Sequence, residues 1–97
     1  MKYIVEDNQL TLNFNGRIDT QASMELEPEI DVLLDQHHPD TVCFDLHDVG
    51  YVASAFLRIC SKTAKKIGKE KFSIINTSPA IKKIFKIAGL EEALHVL

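Results

Sequence analysis

Ninety-seven residues, 45% of them hydrophobic and 7% aromatic, are enough for one compact unit with one core and exclude a second. Four glycines and three prolines are too few for a flexible linker or a low-complexity tail, and no internal repeat is present. The net charge of −3 hides an asymmetry, eleven acids against two bases in residues 1–50 and nine bases against three acids in residues 51–97, which could present an acidic face to one partner and a basic face to another.

The opening MKYIVEDNQL lacks a signal-peptide core, and no apolar run approaches the ~20 residues that cross a bilayer. The expected compartment is therefore the cytoplasm, without membrane insertion, and Cys43 and Cys60 are expected to be reduced core thiols. YIV and QLTLNF read as two strands of a hairpin, with Glu6-Asp7-Asn8 as the polar turn and Asn15-Gly16 as its end. IDTQASMELEPEIDVLLDQHH carries Leu26, Ile30, Leu33 and Leu34 at helical spacing, although Pro28 predicts a late start or a break.

TVCFDL, bounded by His38-Pro39-Asp40 and His47-Asp48, reads as a short buried strand. From Ala53 the period changes: Ala53, Leu57, Cys60, Ala64 and Ile67 form one stripe of a helix that ends at Gly68, with Lys62, Lys65, Lys66 and Lys69 on its wet side. KFSIIN is a further strand. Ser78-Pro79 supplies an N-cap and a first-turn proline for a helix with Ile81, Ile84, Phe85 and Ala88 inward, closed by Gly89. ALHVL adds either a helical turn or an edge strand. Two strands followed by alternating helix and strand imply an α/β domain over residues 1–97, a mixed four- to five-stranded sheet with helices mainly on one face.

Catalytic chemistry is hard to assemble from these residues. Ser54 has no base beside it, and DLHDVGYVASAF lacks the Gly-x-Ser-x-Gly elbow of a hydrolase nucleophile. His37-His38 has no third metal ligand at a suitable spacing and reads as a solvated helix end. The glycines make no phosphate-cradling loop, so no cofactor is expected, and the lysines lack the interleaved aromatics of a nucleic-acid surface. Ser54 itself falls where strand gives way to helix. A serine there has a routine structural role as N-cap, worth ~1 kcal/mol. The same position also leaves its hydroxyl within reach of a kinase.

FNGRIDTQASMEL, TVCFDLHDVGYVASAFLRIC and FSIINTSPAIKKIFKIAGLEEALHV resemble, in order and spacing, the STAS domain of bacterial anti-sigma factor antagonists, over nearly the whole chain. The most specific part is an apolar strand ending in Asp45, the apolar steps Val49 and Tyr51-Val52, then Ser54, Leu57 and Arg58. Two positions differ: Ala53 stands where the family usually has an acid or small polar residue, and Phe56 where it usually has glycine. The resemblance implies a non-enzymatic switch without metal or cofactor, phosphorylated on Ser54 by a partner that is both serine kinase and anti-sigma factor, and reset by a serine phosphatase. It implies a binding surface of Asp19, Thr20, Asp48, Gly50 and Tyr51 with Ala53, Ser54, Ala55, Phe56 and Arg58. The alternative is a constitutive STAS subunit of a larger assembly such as a transporter, with Ser54 only a helix cap.

Overall fold

The structure, a computed structural model, describes residues 1–97 and opens with the hairpin. Strands β1 (Lys2–Glu6) and β2 (Gln9–Ile18) pair antiparallel through Asp7 and Asn8, whose φ angles of 49° and 64° give the mirror-image turn that suits a twisted hairpin. Asp and Asn accept such left-handed backbone more readily than most residues. Helix α1 (Thr20–His37) follows. Its N-cap is Asp19, whose carboxylate accepts from Ala22 N–H at 2.8 Å. Pro28 does not divide it. Ile30, Leu33 and Leu34 are buried against the sheet, and this packing carries the helix past a residue that lacks the N–H for one rung.

Strand β3 (Thr41–Val52) is twice as long as the predicted TVCFDL. It pairs parallel with β2 throughout, but Asn13↔Asp45 is followed by Asn15↔Asp48, and Gly16↔Val49 by Arg17↔Tyr51, so β3 holds an extra residue at two places. Its residues in the main core cluster therefore run Val42, Phe44, Leu46, Val49, Val52, with the step lengthening from two to three, while Cys43 is buried outside that cluster. Asp45 pins the first irregularity: its Oδ1 accepts from His47 N–H at 2.9 Å and from the Asn76 amide at 3.2 Å. Gly16, at φ 75°, sits at the second irregularity, within β2 rather than at its end.

Helix α2 (Ser54–Ile67), strand β4 (Phe72–Ile75) and helix α3 (Pro79–Ile87) complete the set. The sheet order is β1-β2-β3-β4, antiparallel at the first pair and parallel at the other two, an α/β fold with a four-stranded mixed sheet. Leu10, Leu12, Phe14, Val42, Phe44, Phe72 and Ile74 on one sheet face join buried residues of all three helices in one cluster of 22. ALHVL proves to be both turn and edge: Val96 bridges Ile74 in parallel on the outer side of β4.

The stripe on α2 is turned from the predicted one. Phe56, Ile59, Cys60, Thr63 and Ala64 are buried, whereas Leu57 and Ile67 lie at the margin. Four phenylalanines form the centre: Phe56 stands edge-on to Phe14 at 5.2 Å, Phe14 to Phe44 at 4.9 Å, and Phe44 to Phe72 at 4.9 Å. The acidic and basic halves of the chain interleave across α1 and α2. Lys62 reaches Glu27 at 3.0 Å and Asp31 at 3.7 Å, and Lys66 reaches Asp35 at 3.3 Å, so two of the four wet lysines join helices. His37 is not a solvated end either: its ring leans on Tyr3 at 5.6 Å, and His38, at φ 44°, is the helix C-cap.

Both cysteines are free and buried, and loss of solvation pushes both thiols up, Cys60 the further. Thiol modification needs the thiolate. At pH 8 Cys60 is expected to react with a disulfide reagent only as fast as the protein opens, with a rate that rises in step with added denaturant; rapid labelling in the folded state would contradict its placement.

Candidate functional site

Three elements converge at the carboxyl end of β3. Ala53 N–H donates to Ile18 O at 2.8 Å, tying the last residue before α2 to the end of β2, and Asp19 then starts α1 beside it. Ala53 is extended, with φ −88° and ψ 164°, and it is the N-cap of α2; its methyl offers no acceptor to the first turn. Ser54 is thus the first helical residue and not the cap. This corrects the structural role expected of it. Its side chain is exposed and makes no hydrogen bond, leaving a free hydroxyl beside the N–H groups of Ser54 and Ala55, which have no backbone partner, whereas Phe56 N–H already donates to Ala53 O at 2.9 Å.

Two grooves flank this helix start. One, of about 620 Å³, runs between α2 and the end of α3, where Ser54, Leu57, Arg58, Ser61 and Lys65 face Ala88 and Leu90. The other, of about 430 Å³, runs between α2 and α1, where Thr20 and Met24 face Ala55 and Arg58. Arg58 borders both, one turn beyond Ser54, exposed and without a carboxylate partner. The far wall of the first groove is set by the end of α3: Leu90 N–H donates to Phe85 O at 2.9 Å and Gly89 N–H to Lys86 O at 3.0 Å, with Gly89 at φ 75°. That is a Schellman termination. It turns Leu90 toward α2.

Of the residues expected on the surface, the fold brings together Thr20, Ser54, Ala55 and Arg58. Asp19 is adjacent, but its carboxylate is committed to Ala22 N–H and its carbonyl accepts from Ser23 N–H at 2.9 Å and Ser23 Oγ at 2.8 Å. Asp19→Ala is accordingly expected to cost ~1 kcal/mol in a denaturant melt; an unchanged midpoint would show the cap to be idle. Gly50 and Tyr51 belong to β3 rather than to a loop, and the Arg17 guanidinium lies 4.0 Å from the centre of the Tyr51 ring.

Three expected residues are placed otherwise. Phe56 is 0% exposed and Ala53 is 9% exposed, so neither side chain is offered to a partner. Phe56 is inward because helix geometry puts it beneath Ser54, facing Phe14 and Phe44. Asp48 lies away from Ser54, in a concavity with Asn13, Asp45, His47 and Asn76, because the irregularity in β3 carries it to that side. Residues missed from sequence are Arg17, Ser61, Lys65 and Leu90. Ser54, Arg58, Ser61 and Lys65 do share a helical spacing that reveals one face, but nothing local shows that Leu90 closes it.

A family model described as Mlab, STAS domain, matches residues 1–97. The chain belongs to this STAS domain family. Among solved structures it is similar to an anti-sigma factor antagonist from Mycobacterium paratuberculosis, at 26% identity and TM-score 0.84 over 98% of this chain and 83% of that one. It is similar to the anti-sigma factor antagonist SpoIIAA in its unphosphorylated form, at 16% identity and TM-score 0.80 over 99% of this chain and 86% of that one. The phosphorylated form of SpoIIAA from Bacillus matches at 16% identity and TM-score 0.70 over 99% and 89%. No curated protein matches the chain significantly. The STAS chain thus has the fold of the anti-sigma factor antagonists, and none of its helices is long and apolar enough to cross a membrane.

Proposed function

We propose that this STAS domain is a phosphorylation-controlled protein-binding switch. Its target hydroxyl is Ser54, and its binding surface is the start of α2 with Ala55, Arg58, Thr20 and Tyr51. The partner is an anti-sigma factor that is also a serine kinase, and a serine phosphatase restores the binding form in the cytoplasm. The reading is of a binding protein and not an enzyme. The observation that carries it is the state of Ser54: exposed, first in its helix, and bonded to nothing.

A phosphate on that oxygen meets the unpartnered N–H groups of Ser54 and Ala55 and has Arg58 one turn away, so the fold tolerates it. A docked partner does not. About −1.5 to −2 charges would be carried into a contact that in the unmodified protein offers a small hydroxyl and apolar Leu57, Ala55 and Leu90 beside the cationic Arg58 and Lys65, reversing the charge at the centre of that contact. Incubation with ATP and a serine kinase of the anti-sigma type, followed by mass spectrometry, should place one phosphate on Ser54 and none on Ser54→Ala. Absence of phosphate from the wild type would reject the switch.

A second reading, a constitutive STAS subunit of a larger assembly, uses the same surface without modification. It is favoured by the family model, whose description is Mlab and not antagonist. Ala53, which offers no acid or hydroxyl to a kinase, is consistent with it. In that case Ser54→Asp binds its assembly through the unmodified surface and no phosphate is found on Ser54 in cells.

A further inference from the structure

Four of the eight large hydrophobic side chains left exposed gather at one edge of the sheet: Tyr3 at 47%, Ile4 at 51%, Val5 at 39% and Val32 at 51%. β1 is exposed at all five positions and has β2 as its single neighbour, whereas the opposite edge of the sheet is covered by the bridge from Val96. Beside β1, Met1, Tyr3, Pro28, Val32 and Leu33 line an apolar groove of about 410 Å³. An open apolar edge is a template for another strand. None of these residues lines either groove at Ser54.

The phase of the edge is fixed by the hairpin. A two-residue turn makes Glu6 and Gln9 a hydrogen-bonded pair, so by alternation Ile4 and Lys2 also turn their peptide groups toward β2. The peptide groups of Tyr3 and Val5 are left pointing outward. Two copies of the sequence KYIVE can be laid antiparallel with Ile4 on the two-fold axis. Tyr3 then lies opposite Val5 of the second copy, and these outward-facing residues form a hydrogen-bonded pair in both directions. Lys2 falls opposite Glu6 of the second copy, on the same sheet face, as an ion pair at each end.

Neighbouring registers lack this match. A slip by two residues keeps the backbone phase but sets Ile4 against Lys2 or Glu6 and leaves the charges unpaired. The strand is therefore self-complementary in backbone phase, in apolar contact and in charge at one register. We propose that β1 is a dimerisation edge: a second copy of the chain pairs with it antiparallel about Ile4, joining two four-stranded sheets into one and covering Tyr3, Val5 and the Val32 groove. An isologous contact of this kind leaves both Ser54 faces open.

Charge reversal tests the register. Light scattering across about 10–500 µM is expected to show a concentration-dependent species of twice the chain mass. Lys2→Glu or Glu6→Lys alone should raise the dissociation constant about tenfold or more, since each sets like charges opposite one another at both ends. The double variant Lys2→Glu/Glu6→Lys should return it to within about threefold of wild type, because the swapped pairs are again opposite. Both positions are exposed, and circular dichroism checks that each variant is folded. A single-chain mass at every concentration, a dimer indifferent to the single reversals, or a double variant that stays dissociated would each overturn the proposal.

Discussion

Phe56→Ala is expected to lower the free energy of unfolding by about 3–5 kcal/mol, a large share of the total for a domain of this size. The ring is 0% exposed and meets Phe14 at 5.2 Å and Phe44 at 6.1 Å, so truncation leaves a cavity in the centre of the sheet–helix core. In a thermal melt the midpoint should fall by more than ~10 °C. The result bears on function. If Phe56 instead anchored a partner, truncation would spare the melt and abolish binding, so a midpoint within ~3 °C of wild type would return it to the surface.

Ser54→Ala and Ser54→Asp form the second expectation, and they should part company. Ser54→Ala should leave stability within ~0.5 kcal/mol of wild type, because the N-cap is Ala53 and the serine hydroxyl bonds to nothing. It should also keep partner affinity. Ser54→Asp should leave the fold intact or gain ~0.3–1 kcal/mol from a carboxylate at the helix N-terminus. Its affinity for the kinase partner should nevertheless fall tenfold or more, as part of the phosphate's charge enters the contact. Calorimetric titration paired with a melt of each variant separates the two. Equal affinity for both variants would point to the constitutive subunit.

Much of the fold was legible because its signals are local. Asp7-Asn8 made the hairpin turn, Ser78 caps α3 through Ile81 N–H at 3.2 Å with Pro79 behind it, and Gly89 closes that helix as expected. β3 was half lost because the irregularities after Asp45 and Val49 stretch its apolar step to three, where a period of two no longer detects a strand. α2 was found, but its phase was not. Phe56 and Leu57 are both apolar and adjacent, and only the rings of Phe14 and Phe44, supplied by distant strands, decide which turns inward.

The site was legible as a place more than as a surface. Ser54 was singled out correctly as the junction of strand and helix, yet whether it is the cap or the first helical residue depends on the backbone angles of one alanine. Asp48 looked close because sequence separation is short; an extended strand holds it elsewhere. Leu90 looked remote and is a wall of the groove, because the Schellman turn after α3 delivers it there.

The most direct measurement is a pair of titrations of the anti-sigma-type kinase partner, one with the unmodified chain and one with the chain carrying phosphate on Ser54. The switch predicts that the phosphorylated chain, melting at the same temperature, binds at least tenfold more weakly, and that phosphatase treatment restores the tighter constant. Equal dissociation constants for the two forms would contradict it.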